Sequence, residues 1–117
     1  GVDIESCSDT ISNGYNVGWI ENGEWLQYTV NNISEGMYNM GIRSSSKDST
    51  GELKILINDV AVSTAILPQT NENQKWQTTV VKNVKFVKGI NRITLLAVKG
   101  GFNLNYLKFM RTGIATH

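Results

Sequence analysis

The sequence carries one cysteine, Cys7, and one histidine, His117. A lone thiol excludes an internal disulfide and a cysteine-built zinc site. A lone histidine at the end of the chain leaves no Ser-His-Asp set, no histidine-based metal motif and no partner for a catalytic Cys7, which reads as a small packed residue. Proline is just as scarce, with Pro68 alone. No apolar run approaches the roughly 20 residues of a membrane span, and no signal peptide is visible. With 11 basic and 10 acidic side chains, no run of like charges and a formal net charge of +1, nothing argues for nucleic acid or an anionic membrane as partner. Helical periodicity and internal repeats are absent as well. Gly100-Gly101 has only a weak likeness to a phosphate loop and reads as a turn, since a strand pattern follows it. The 117 residues form one domain that can bury a core without metal or disulfide staples, and we expect a monomer.

What is present reads as all-β. Candidate strands cover roughly Val2-Glu5, Asn16-Ile20, Trp25-Val30, Gly36-Ser44, Glu52-Ile57, Val60-Leu67, Trp76-Val87, Asn91-Val98 and Leu104-Met110. Leu26, Tyr28 and Val30 alternate with polar neighbours, as do Tyr38, Met40 and Ile42, and Leu53, Ile55 and Ile57. Arg92 to Val98 turns apolar on both faces, which suits a central strand. Asn58-Asp59 fits a tight hairpin, because both residues tolerate positive φ. Gln69 to Lys75 is a polar connection on one rim. Short strands separated by Gly, Asn and Ser turns predict a two-sheet antiparallel β-sandwich of the jelly-roll kind.

Trp25 breaks the pattern of its strand. Alternation sends Leu26, Tyr28 and Val30 to the core and leaves Trp25 with Gln27 and Thr29 on the opposite face. An indole among polar groups on a rigid sheet is a platform for a flat partner with an apolar side. Trp19 lies six residues earlier, beside a glycine. Pyranose rings offer apolar C–H patches for stacking and hydroxyls that pair with amides and carboxylates. Several asparagines adjoin aromatics, and Asn103, just past Gly100-Gly101, is placed at a sheet rim.

The blocks Gly1 to Thr10, Gly14-Tyr15-Asn16-Val17-Gly18-Trp19-Ile20, Asn22-Gly23-Glu24-Trp25-Leu26-Gln27-Tyr28, Trp76-Gln77-Thr78 and Gly101-Phe102-Asn103-Leu104-Asn105-Tyr106-Leu107-Lys108-Phe109 together resemble family 6 carbohydrate-binding modules. The resemblance spans nearly the whole chain. It implies a secreted, noncatalytic module that binds a β-linked polysaccharide (β-glucan, agarose-type galactan or xylan) and is covalently linked to a glycoside hydrolase. By position it implies a rim site with Trp19 as stacking ring, Asn103 and Glu5 as hydroxyl ligands and Ser8 as a lesser contact. Trp25 falls at the aromatic of a second site on the concave sheet face.

Two departures from the family pattern follow. Asn73 stands where many members place a second rim aromatic, so one stacking face is missing unless Tyr15 or Phe102 replaces it. Trp76 matches a structural tryptophan. The family's usual glutamate-rich first strand, which helps to hold a structural calcium, is also expected to be lacking. Asn105 occupies a calcium-ligand position, but one neutral amide falls short of the six to eight oxygens calcium wants. No cofactor is required by this reading. Two other classes compete with it: a small glycan hydrolase using paired carboxylates such as Glu5 and Glu24, and a cell-surface adhesion domain anchored by Trp25.

Overall fold

The computed structural model describes the backbone of residues 2–6, 10–11, 18–72 and 75–113, with the side chains of 19–30, 34–72 and 75–112. Ten strands run in chain order: β1 Val2–Ser6, β2 Thr10–Ile11, β3 Gly18–Ile20, β4 Trp25–Ile33, β5 Gly36–Ser45, β6 Gly51–Ile57, β7 Val60–Leu67, β8 Gln77–Phe86, β9 Gly89–Lys99 and β10 Phe102–Gly113. They form two sheets. The first has the order β1-β4-β9-β6-β7; the second runs β2-β10-β5-β8, with β3 also paired to β10. All pairings are antiparallel except β1 with β4, which is parallel and aligns Asp3 with Gln27 and Glu5 with Thr29. This is the all-β sandwich expected from the alternation.

Each sheet turns one face inward because its apolar residues recur every second position. Leu26, Tyr28, Val30, Leu53, Ile55, Ile57, Ile93 and Leu95 from the first sheet meet Tyr38, Met40, Ile42, Phe86, Leu104, Leu107 and Phe109 from the second, all buried. Phe86 ties the second layer together, with ring centroids 5.2 Å from Tyr38 and 5.1 Å from Phe109. The strand with apolar residues on both faces, β9, lies third of five in its sheet, between β4 and β6. Asn58 and Asp59 take φ of 51° and 69°, the mirror-image turn that matches the twist of a hairpin.

Two of the connections that cross between the sheets, β3–β4 and β9–β10, fix the rim. The turn between β3 and β4 is stitched to β9 by Gly23 N–H to the Ala97 carbonyl and Ala97 N–H to the Glu24 carbonyl, both 2.8 Å. The β9–β10 turn is tied back to it: Gly100 N–H donates to Asn22 Oδ1 at 2.6 Å and Gly101 N–H to the Ile20 carbonyl at 2.7 Å. Gly100 sits so close that a β-carbon there would lie 2.3 Å from the carbonyl carbon of Glu21 and 2.5 Å from the nitrogen of Asn22. Only glycine fits this crossing.

Candidate functional site

Trp19 and Asn103 are brought into direct register. Gly18, Trp19 and Ile20 pair antiparallel with Leu104, Asn103 and Phe102. Ile20 and Phe102 are buried, so alternation turns Trp19 and Asn103 to the outer side of the second sheet. The Trp19 ring is 48 % exposed, and its Nε1 donates to Glu21 Oε1 at 3.0 Å. Glu24 Oε1 in turn accepts the Glu21 backbone N–H at 2.8 Å, which closes the turn beneath the indole. The ring is therefore held by its edge while its face stays open. Asn103 is half-buried, and among the described residues nothing occupies its side-chain amide, leaving donors and an acceptor beside the indole.

Neighbouring polar groups frame this rim. Ser46, fully buried, donates from Oγ to the Ser49 carbonyl and, at 3.3 Å, to the Gly101 carbonyl. Its own N–H meets Thr70 Oγ1 at 2.9 Å, and Thr70 N–H returns a bond to the Ser46 carbonyl at 2.7 Å. These bonds hold the connection that follows Pro68 against the loop after β5. Trp76 stands immediately before β8 and is half-buried. Asn73, Tyr15 and Ser8 lie outside the described residues, as does the side chain of Glu5, whose backbone stands opposite Thr29 in the first sheet.

The second indole occupies the outer face of the first sheet. Trp25 is 43 % exposed and pairs with Leu96 across β4 and β9. With Gln27, Leu56, Asp59, Thr94 and Leu96 it lines an open trough of about 340 Å³. Gln27 Nε2 donates to Thr94 Oγ1 at 3.4 Å, which orients its amide across the floor. The trough continues past Asp59 to a depression bordered by Thr29, Asn58, Ile90 and Arg92, where Arg92 and Asp59 form an exposed ion pair at 3.3 Å. Sequence alternation found Trp25 but not Leu56, Asp59, Thr94 or Leu96, because only strand order places β9 and then β6 beside β4.

Asn105 lies at an irregularity of β10 between Leu104 and Tyr106 and is half-buried. Among the described residues, no group of three or more carboxylates, histidines and cysteines could hold a metal ion.

Open indole platforms beside amides, on a rigid sandwich, define a module that binds at its surface. The chain belongs to family 6 of the carbohydrate-binding modules, whose family model matches residues 1–111. It is a noncatalytic module of that family. Similar solved structures include the C-terminal family 6 module of LamC, a marine laminarinase from Zobellia galactanivorans, at 26 % identity and TM-score 0.75, covering 89 % of this chain and 90 % of that one. A module from Cellvibrio mixtus lichenase 5A, in complex with cellotriose, is 30 % identical with TM-score 0.73, covering 90 % and 88 %. A family 6 module from Clostridium cellulolyticum, in complex with xylose, is 25 % identical with TM-score 0.71, covering 91 % and 84 %.

Proposed function

We propose that this module binds a β-linked polysaccharide, a β-glucan or an agarose-type galactan ahead of xylan, and holds a covalently attached, secreted glycoside hydrolase on that substrate. The observation that carries the reading is the register pair of Trp19 and Asn103, an open stacking face beside an amide that nothing among the described residues occupies. A sugar laid on the indole brings its hydroxyls to Asn103. Glu5 and Ser8 would add contacts from the N-terminal segment, and Tyr15 and Asn73 would flank the ring. The names of two relatives' parent enzymes, a laminarinase and a lichenase, and the cellotriose bound by one of them support a glucan.

Trp25 serves as a second platform. Its trough is open at the surface, so it suits the middle of a chain, whereas the rim suits a chain end. A tethered module raises the local concentration of its enzyme on a polymer without any chemistry of its own. Calorimetry and affinity electrophoresis across xylan, β-1,3-glucan, mixed-linkage glucan, cello-oligosaccharides and agarose test the reading. Binding to a glucan or galactan that Trp19→Ala abolishes supports it. No retardation by any of these polymers would overturn it, and release of reducing ends would return the hydrolase reading.

A further inference from the structure

The near-neutral net charge hides a segregation. The strands of the second sheet, β2, β3, β5, β8 and β10, contain Arg43, Lys82, Lys85, Lys108 and Arg111 and none of the chain's 10 Asp and Glu residues. The first sheet is mixed, with Asp3, Glu5 and Glu52 set against Lys54, Arg92 and Lys99. Among the described residues, carboxylates approach the second sheet from loops at its ends, Glu21, Glu24, Asp48 and Glu72 at the Trp19 rim and Glu35 at the other; Asp9, next to Thr10 of β2 in the chain, lies outside the described residues. Among the described residues the middle of its outer face is cationic and carries no ion pair: the one such pair, Arg92 with Asp59, belongs to the other sheet.

That cationic face is also grooved. A cleft of about 330 Å³ is lined by Asn39, Gly41, Thr78, Val80, Tyr106, Lys108 and Met110, a volume at the low end of the range of about 300–1,000 Å³ typical of small-ligand sites. Register explains its shape. Lys108, Gly41 and Val80 lie in one cross-strand row, and Tyr106, Arg43 and Thr78 in the next. Gly41 contributes no side chain, so the floor drops to the backbone between the half-buried Tyr106 and the exposed Val80 and Met110. Arg43 Nη1 donates to Oγ1 of the wall residue Thr78 at 3.3 Å, which ties the guanidinium beside the groove, and among the described residues its other donors have no partner. Lys108 is exposed on the opposite side.

From this we infer that the outer face of the second sheet is a separate binding site for an anionic glycan, whose ring lies over Gly41 against Tyr106, Val80 and Met110 while its sulfate or carboxylate meets Arg43 and Lys108. The inference takes a glycan as ligand, as the proposed function does, but uses neither indole. A narrow groove with apolar walls and a glycine floor fits a pyranose ring better than a flat cationic patch would. The same strand, β10, carries Asn103 to the rim and Tyr106 to the groove, so a chain leaving one enters the other. Glu21 beside Trp19 makes the rim itself unfavourable for an anion, and the preference belongs to the groove alone.

Affinity electrophoresis of the full chain in carrageenan, polygalacturonate, agarose and β-1,3-glucan gels tests this, with Trp19→Ala/Trp25→Ala, Lys108→Gln and Arg43→Gln/Lys108→Gln variants. Retardation by an anionic polymer is expected to survive loss of both indoles. It should fall about fivefold in Lys108→Gln and about tenfold in the double charge variant, and weaken similarly in 0.5 M sodium chloride. Neutral-polymer binding, which reports on the indoles, should stay unchanged in Lys108→Gln. Acidification to pH 3 separates the sources, since it abolishes binding to a polyuronate but not to a sulfated galactan. Anionic and neutral polymers retarding the chain equally, or Lys108→Gln behaving as the parent, would overturn the inference. So would binding of a single-stranded oligonucleotide in the absence of binding to either anionic polymer.

Discussion

Trp19 in β3 and Asn103 in β10 face one another as register partners, each next to a buried neighbour, Ile20 or Phe102, that anchors it. Ring and amide are thus fixed by backbone pairing rather than by loop conformation. Trp19→Ala is expected to abolish binding of short oligosaccharides. Asn103→Ala should weaken it by about 1–3 kcal/mol through lost hydrogen bonds. Titration calorimetry reads both, and parental affinity in the two variants would move the site elsewhere.

Trp25→Ala should leave short-oligosaccharide binding intact and reduce binding to long chains by about 1 kcal/mol, the scale of one lost stacking face. Electrophoresis in polymer gels, run beside calorimetry with a trisaccharide, separates the platforms. Equal losses with both ligands would mean that a single site is used.

Gly100→Ala should be among the most damaging single substitutions in the chain. The new methyl would press on backbone at 2.3 Å and 2.5 Å, where no flexible side chain can yield. A loss of about 2–4 kcal/mol is expected in denaturant unfolding, together with weakened binding at Trp19, whose turn is displaced. An unchanged midpoint would rule this out.

Burial pushes the Tyr28 phenol up to about 12 from 10.0. Among the described residues its hydroxyl has no hydrogen-bond partner. Between those two values the folded chain keeps a proton that the unfolded chain has lost. Stability from this group is therefore complete below pH 10 and declines as pH rises toward 12, by about 2–3 kcal/mol in all. Tyr28→Phe should match or exceed the parent at neutral pH and show a shallower alkaline decline, while the lysines affect both chains alike. Identical pH profiles would sink the assignment.

Binding of neutral glycans through the two indoles should be modest and insensitive to salt. One or two stacked rings and a few exposed hydrogen bonds leave about 5–7 kcal/mol after ordering costs, or tens of micromolar to sub-millimolar dissociation constants. Calorimetry at low and high sodium chloride checks this. Nanomolar affinity, or a tenfold salt effect on a neutral oligosaccharide, would indicate a different ligand class.

Much of the fold was legible because a period of two is a local property. Leu26, Tyr28, Val30, Tyr38, Met40, Ile42, Leu53, Ile55 and Ile57 were all expected inside and are buried. The exposure of Trp25 followed from the same count. The hairpin at Asn58-Asp59 was readable because few residues accept its backbone. Strand order was not readable, since it depends on pairings between residues far apart in sequence. The partners of Trp25 on β6 and β9 were therefore missed, and so was the groove over Gly41, which needs β10, β5 and β8 side by side. Charge segregation escaped for a related reason: net charge sums over both sheets, and only topology assigns each lysine to one.

The stitching of the β3–β4 turn to Ala97, Gly100 and Gly101 also has a dynamic meaning. Its four bonds join strands from both layers, so none opens without straining the others. Trp19 and Trp25, at either end of that turn, consequently ride on one mechanical unit while facing different sheets. The amides of Gly23, Ala97, Gly100 and Gly101 should exchange with solvent as one slow set, a foldon that spans the sandwich instead of following a single hairpin. A ligand settling on either indole then meets a surface already stiff, and its entropy cost is confined to the sugar.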